Sequence, residues 1–394
     1  MNNTSVIIKN MTINTRSDGR LEGRITVNGK RKSFYGHTKT EIKNKAKEFL
    51  MKVENGYRDP EKILLSDYIE YWLQTYKYNM VEPSTYTRMV STYKHQLKNT
   101  IGKKYIGNIT TKDIQNLINS YANPKNESDL ALAKSGLEKI LQILKPCFKM
   151  AIKENIITVN PCIDVSLPSE SYIKKETKEQ FSLSDSELEI FKEYALKKWK
   201  TKNEYISRDC LVLLIMVNTG LRVGEMLALD WSDIDTDNKI MRISKTIQSN
   251  VAEIENFEIV GRDNLLKKSP KTHSGKRVIP LNSSTLWYIE ELKQYDNRHH
   301  IISKYVATTK NGNRVLARNL HRSLERLVVR ANLNENISLH TLRHTFGSTL
   351  LRRKVPIEIV SSLMGHANIT ITYNKYIHVI QEEKAKAMQM TIVC

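Results

Sequence analysis

His340-Thr341-Leu342-Arg343-His344, Leu363-Met364-Gly365-His366 and Asn374-Lys375-Tyr376-Ile377-His378 follow one another near the C-terminal end of this 394-residue chain. A further arginine stands well upstream, in Thr219-Gly220-Leu221-Arg222-Val223-Gly224-Glu225. Short His/Arg/Gly strings are common singly, but four in this order point to one chemistry. Breaking a phosphodiester without water or metal needs a side-chain nucleophile, cations on the non-bridging oxygens and a proton donor for the leaving oxygen. Tyr376 supplies a phenolic oxygen, and Arg222 and Arg343 supply planar forks that match a phosphate. His340 lies three residues before Arg343, so both share one face of a helix. His366 follows a turn and offers a hydrogen bond to another phosphate oxygen. A phenol titrates near 10 and needs help to ionise at neutral pH, which two histidines and two arginines provide.

Each residue also has a plainer reading. Arg222 and Glu225, three apart, form an ordinary ion pair on a helix. His340 and His344, four apart, match two zinc ligands on one helix face, but no His-Glu-x-x-His string or close acidic third ligand accompanies them. His344 is expected to pack beside Arg343. Tyr373 rivals Tyr376, since three-residue spacing places both on one helix face. No Gly-x-x-x-x-Gly-Lys-Ser/Thr loop is present, so no nucleotide is expected, and no other cofactor or metal.

Composition agrees with a polyanion partner. Lys plus Arg number 62 against 42 acidic residues, a net charge of +20, although a ribosomal or membrane-surface protein would share that balance. Cys147, Cys162, Cys210 and Cys394 show no Cys-x-x-Cys spacing and read as reduced thiols of a cytoplasmic protein. No run of eighteen apolar residues and no secretory h-region occurs, so no membrane span is expected.

The pattern along the chain predicts a multidomain protein, mainly α with small β-sheets. In residues 1–60, Leu21 to Val27 alternates as a strand, Asn28-Gly29 signals a type I′ hairpin, and Lys30 to Tyr35 returns as its partner. Thr38 and Glu41 make a capping box for a helix carrying Ile42, Ala46, Phe49, Leu50 and Val53. Arg24, Lys30, Arg31 and Lys32 stud this sheet. Residues 61–164 read as helical: Ser66 caps Asp67 to Tyr76, Pro83 opens a helix through Leu97, Thr110 and Asp113 begin one through Ala122, and Asp129 to Glu154 forms a fourth that Pro146 should kink. Residues 165–182 carry no apolar period and read as a linker. Residues 183–380 hold the site, with helices at Asp185 to Trp199, Cys210 to Val217, Ser283 to Tyr295, Arg318 to Ala331, Thr341 to Arg353 and Pro356 to Met364. Strands are expected at Ile240 to Ile243 and Arg277 to Pro280. Ser269 to Pro280 reads as strand, Ser-Gly turn and strand. Residues 381–394 form a tail with an apolar end.

Arg222, His340-x-x-Arg343, His366 and Tyr376 together resemble the catalytic set of the tyrosine recombinases, in the form of phage and conjugative-transposon integrases. The resemblance covers nearly the whole chain, with its specific motifs confined to Arg222 through Tyr376. It implies a site-specific enzyme that cleaves and rejoins double-stranded DNA at attachment sites through a 3′-phosphotyrosyl link, integrating and excising a mobile element. It implies an N-terminal arm-binding domain using Arg24, Lys30, Arg31 and Lys32, a helical core-binding domain and a catalytic domain. In that family a lysine on a β-hairpin protonates the leaving 5′ oxygen. Lys271, in Pro270-Lys271-Thr272, matches its form, with Lys267, Lys268 and Lys276 left open. The hydrophobic-His step Ile377-His378 favours Tyr376 over Tyr373. The resemblance further implies a tetramer on DNA, an excisionase, a host DNA-bending protein and a place at the bacterial nucleoid, with no membrane partner. A tail docking on a neighbouring protomer is expected too. Two rivals remain: a type IB topoisomerase-like enzyme, and a non-catalytic DNA-binding regulator that keeps the fold.

Overall fold

A computed structural model describes residues 11–27, 30–54, 60–126, 128–175, 181–201, 203–255, 257–267 and 275–389. The chain divides into two compact units, Met1–Thr177 and Lys178–Cys394.

The first unit begins with an antiparallel sheet, β1 (Thr12–Thr15), β2 (Leu21–Val27) and β3 (Lys30–Gly36), in that spatial order. The expected hairpin is present with Val27 opposite Lys30; its Asn28-Gly29 turn lies outside the described residues. β1 is an addition that four short, mostly polar residues did not announce. Helix α1 (Lys39–Glu54) follows; Thr38 Oγ1 accepts from the Glu41 N–H at 3.1 Å, but the Glu41 carboxylate accepts from the His37 N–H at 2.9 Å, one residue before the N–H that the expected capping box would use. Ile42, Ala46 and Leu50 on α1 meet Met11 and Ile25 in a small core. Because side chains alternate along a strand, Arg24 and Arg31 share the face opposite Ile25. Lys32 does not join them: it pairs with Ile25 and sets its ammonium over the Phe49 ring at 5.8 Å.

Among the described residues, the α-helices that follow in this unit are α2 (Leu65–Tyr76), α3 (Pro83–Thr92), α4 (Thr111–Ala122) and α5 (Lys134–Lys153). A π-helical stretch, Tyr93–Leu97, extends α3 to the expected end. Thr110 and Asp113 form the expected capping box. Ser66 does not cap α2, whose N-cap is Leu64, held by backbone pairing with Tyr105. α5 starts at Lys134 rather than Asp129, and it runs unbroken across Pro146 because Leu144, Phe148 and Ala151 are packed at 0 % exposure around it. The stretch read as a linker is docked as far as it is described: Val165 and Ile173 are buried, Ser166 exchanges two hydrogen bonds with Gln115, and the Lys174 N–H donates to the Ala122 carbonyl.

The second unit opens with α6 (Asp185–Ala195), which a Ser184/Glu187 box caps and which ends short of Trp199 as the chain pairs Lys198 with Tyr205. At its centre lies α7 (Arg208–Thr219), with every residue from Cys210 to Val217 buried. Arg208 at its start is itself buried and grips Asp296 with two hydrogen bonds of 2.6 and 2.7 Å. α8 (Val223–Ala228) is followed by β4 (Ile234–Asp235), β5 (Ile240–Ile243), β6 (Thr246–Glu255), β7 (Glu258–Lys267) and β8 (Arg277–Pro280). The strand and turn expected at Ser269 to Ser274 lie outside the described residues; β8 joins β5, with Met241 opposite Ile279, and β7 pairs with β6. Then come α9 (Ser283–Arg298), α10 (Ala317–Arg330), α11 (Leu339–Arg352), α12 (Ile357–Met364) and α13 (Ile369–Gln389). Among the described residues no helix is long and apolar enough to cross a membrane.

Candidate active site

Four chain reversals bring the site together. Gly220, left-handed at φ 64°, stops α7 and delivers Arg222 to the N-cap of α8. Ser338 caps α11 through the Thr341 N–H and sets His340 and Arg343 on its first turns. Gly365, left-handed at φ 63°, ends α12 and turns the chain into His366. Tyr376 lies within α13, at a break where its own φ and ψ, −117° and 17°, leave the helical region.

Arg343 is 2 % exposed. Its Nη1 donates to the Gly220 carbonyl at 2.6 Å and its Nη2 to the Met364 carbonyl at 2.5 Å. Arg222 is half-exposed; Nη1 donates to Glu225 Oε1 at 2.7 Å and Nη2 to the Gly365 carbonyl at 3.0 Å. Glu225 therefore forms the ion pair that its spacing suggested, but as part of a larger group. Arg277, whose side chain is 6 % exposed, covers the same carboxylate with two hydrogen bonds of 3.0 and 2.8 Å. Burial opposes ionisation of Glu225, yet the hydrogen bonds and charge of Arg277, and then the charge of Arg222, outweigh it and hold the carboxyl at about 2.

The surrounding field is strongly positive. Burial, then the charges of Arg222 and Arg277, bring Arg343 down to about 9 despite Glu225. Burial and the cations Arg343, Lys375, Arg222 and Arg277 lower His366 to about 3, so its ring is neutral at pH 7. His366 Nδ1 shares a 2.7 Å hydrogen bond with the Thr372 hydroxyl. His340 keeps an exposed edge, and desolvation of the rest of its ring, with Lys375, Arg343 and Arg222, lowers it too. Lys375, half-buried, is lowered by burial, Arg343 and Arg222. Among the described residues, the single carboxylate of Glu225 faces both Arg222 and Arg277, with Arg343 and Lys375 close by, so positive charge is in excess there. Such a site is preorganised for an anion.

Tyr376 is 0 % exposed and packs with Leu351, Val360, Met364 and Val379. Burial raises its phenol well above the ordinary range, against a lowering pull from Arg343. Tyr373 is 40 % exposed. The two tyrosines differ in burial: Tyr376 lies with Thr372 and Val379 on the buried side of the helix, and Tyr373 reaches solvent. His344 is buried as expected, its ring between those of His340 at 4.6 Å and Tyr376 at 5.8 Å.

The structure thus brings Arg222, His340, Arg343, His366 and Tyr376 into one region, joined by Glu225, Arg277 and Lys375, which sequence reading did not place in the site. Lys375, beside Tyr376, and Glu225, three after Arg222, were visible as neighbours of motif residues; Arg277 carried no signal beyond its place in a strand. Lys271 and Lys268 lie outside the described residues, and so does the side chain of Lys267; Lys276 is exposed. Of the basic residues expected in the N-terminal domain, Arg24 is exposed and paired with Glu22 at 2.9 Å, Arg31 is exposed, and Lys30 is described only by its backbone pairing. Among the described residues no three His, Cys, Asp or Glu side chains are grouped as metal ligands.

Comparison with known proteins gives two family matches: residues 196–383 to the phage integrase family, and residues 64–122 to the N-terminal SAM-like domain of phage integrases. A "Tyrosine recombinase XerC-like" protein of Caldanaerobacter subterraneus is 31 % identical, over 94 % of this chain and 96 % of its own length. The integrase of Staphylococcus phage L54a is 24 % identical over 81 % of this chain and 88 % of its own. Among solved structures, the Tn1549 transposon integrase in complex with transposon right end DNA matches 82 % of this chain and 99 % of its own at a TM-score of 0.65 and 19 % identity. A lambda integrase tetramer bound to a Holliday junction matches 91 % of this chain and 96 % of its own, with a TM-score of 0.57 and 17 % identity.

Proposed function

The chain belongs to the tyrosine recombinases of the phage integrase family, DNA strand-transferring enzymes, and from that membership we propose that it is the integrase of a phage or conjugative element. It inserts and excises that element at double-stranded attachment sites. The observation that carries the reading is the excess of positive charge around Arg222, Arg343 and Lys375, set against Glu225. A scissile phosphodiester is the anion that relieves this repulsion.

Arg222 and Arg343 hold the two non-bridging oxygens, and neutral His366 adds a hydrogen bond to one of them. Tyr376 Oη attacks phosphorus; the bond from phosphorus to the 5′ oxygen breaks; Lys271 gives that oxygen a proton. The phenolic proton leaves toward His340, whose neutral ring accepts it. The phosphotyrosyl ester keeps the energy of the broken bond, and a 5′-hydroxyl of the partner duplex reverses the step. The sheet face carrying Arg24 and Arg31 binds distal arm sequences, and the helical domain grips the core site. The chain acts as a tetramer at the nucleoid, with an excisionase and a host bending protein, its tail passing to a neighbouring protomer.

The test is a nicked suicide duplex carrying the element's end sequence, offered together with a second duplex. A covalent protein–DNA band followed by joining to the second duplex is expected. A band without joining supports a topoisomerase-like enzyme, and no band supports a non-catalytic regulator.

A further inference from the structure

Three successive carbonyls at the end of α12 each accept a guanidinium N–H: Leu363 from Arg277 Nε at 2.7 Å, Met364 from Arg343 Nη2 at 2.5 Å, and Gly365 from Arg222 Nη2 at 3.0 Å. A helix leaves its last carbonyls without intrahelical partners and concentrates partial negative charge there. Here three arginines complete that end, and the residue that follows is His366. Two of the three belong to the proposed phosphate site. The third has no role in it so far.

We infer that Arg277 is a positioning residue for strand cleavage, acting through Glu225 on the charge and aim of Arg222, and through the Leu363 carbonyl on the turn that carries His366. The inference rests on the recombinase reading above. Its basis is one buried carboxylate shared by two guanidinium groups. Arg277 engages both oxygens of Glu225, while the same two oxygens receive Arg222 Nη1 at 2.7 Å and the Arg222 N–H at 2.9 Å. With Arg277 present, the group of Arg222, Arg277 and Glu225 carries one net positive charge. Without it, the carboxylate has only Arg222 as a partner, and a phosphate meets a neutral pair. An arginine is required because the contacts run to two elements at once. Its two Nη atoms reach α8 and its Nε reaches the end of α12, a spread that the single ammonium of a lysine cannot cover. Arg277 also opens β8, so it ties the strand after the Lys271 segment to the arginine-and-histidine wall.

A double-mutant cycle on the full chain tests this. Single-turnover adduct formation is measured on the nicked duplex at saturating DNA for wild type, Arg277→Met, Glu225→Gln and the double variant, with melting temperatures alongside. Arg277→Met should slow cleavage roughly tenfold or more, in line with loss of support for one charge-stabilising group, while half-saturating DNA concentration changes little. Glu225→Gln removes the charge that Arg277 offsets, so the double variant should cleave faster than Arg277→Met alone. If Arg277→Met does not fold, Arg277→Lys takes its place in the cycle. Losses that multiply, or a variant that cleaves like wild type, overturn the inference. Wild-type protein that forms no adduct instead overturns the recombinase reading.

Discussion

Tyr376 donates its phenolic hydrogen to the thioether sulfur of Met364 at 3.4 Å, in an apolar pocket closed on one side by Gly347 of α11. A hydroxyl held this way points away from water, and its acceptor is a thioether rather than a base. If Tyr376 is the nucleophile proposed above, it is held in store here and must leave the pocket to act.

Gly347 is where that storage can be undone. A Cβ at this position would run into the Tyr376 hydroxyl, whereas alanine suits a helix interior better than glycine by about 1 kcal/mol. Gly347→Ala should therefore keep α11 and expel the phenol. Its titration, followed by difference absorbance against Tyr376→Phe, should fall back toward the ordinary tyrosine value, and cleavage of an isolated site should quicken severalfold. An unchanged titration would show that the pocket does not hold Tyr376.

That pocket could not have been read from the sequence, and the reason is instructive. Tyr376 stood out as the candidate nucleophile because it follows Arg222, His340, Arg343 and His366 in order, which is a property of the chain. Its burial depends on Gly347 and Met364 arriving from two other helices, which is a property of packing. The same division runs through the fold. The capping box at Thr110 and the Val27–Lys30 hairpin obey local rules and were readable. The pairing of β8 with β5 was not, since Arg277–Pro280 is equally compatible with a strand partner just upstream. α5 continues past Pro146, where Leu144, Phe148 and Ala151 are buried around it.

His366 gives the free protein a pH-dependent stability. Its folded value of about 3 lies below its ordinary 6.5, so between these values the unfolded chain binds the proton and the folded one does not. Stability is complete above 6.5 and is lost as pH falls through that window, by on the order of several kcal/mol at its acid end. Glu225, depressed from 4.5 to about 2, adds to the loss below 4.5. His366→Gln should flatten the fall in melting temperature between pH 6.5 and 4.5. Parallel curves for the two proteins would contradict the depressed value.

Lys271 is tested by changing the leaving group. If it supplies the proton to the 5′ oxygen, Lys271→Ala should cleave an ordinary phosphodiester at least a hundredfold more slowly, within the roughly 10²–10⁴ range of general acid catalysis. A 5′-bridging sulfur leaves without protonation, so the variant should cleave a phosphorothiolate substrate nearly as fast as wild type. Rescue by sulfur in Lys276→Ala but not in Lys271→Ala would move the role to Lys276.

The most direct test of the account identifies the residue joined to DNA. Wild-type protein trapped on the nicked duplex is digested, and the peptide bearing the nucleotide is sequenced by mass spectrometry, with Tyr376→Phe and Tyr373→Phe run beside it. The account predicts a 3′-phosphotyrosyl link on Tyr376, no adduct with Tyr376→Phe despite normal site binding, and an adduct with Tyr373→Phe. A link on Tyr373, or an adduct that survives Tyr376→Phe, would contradict it.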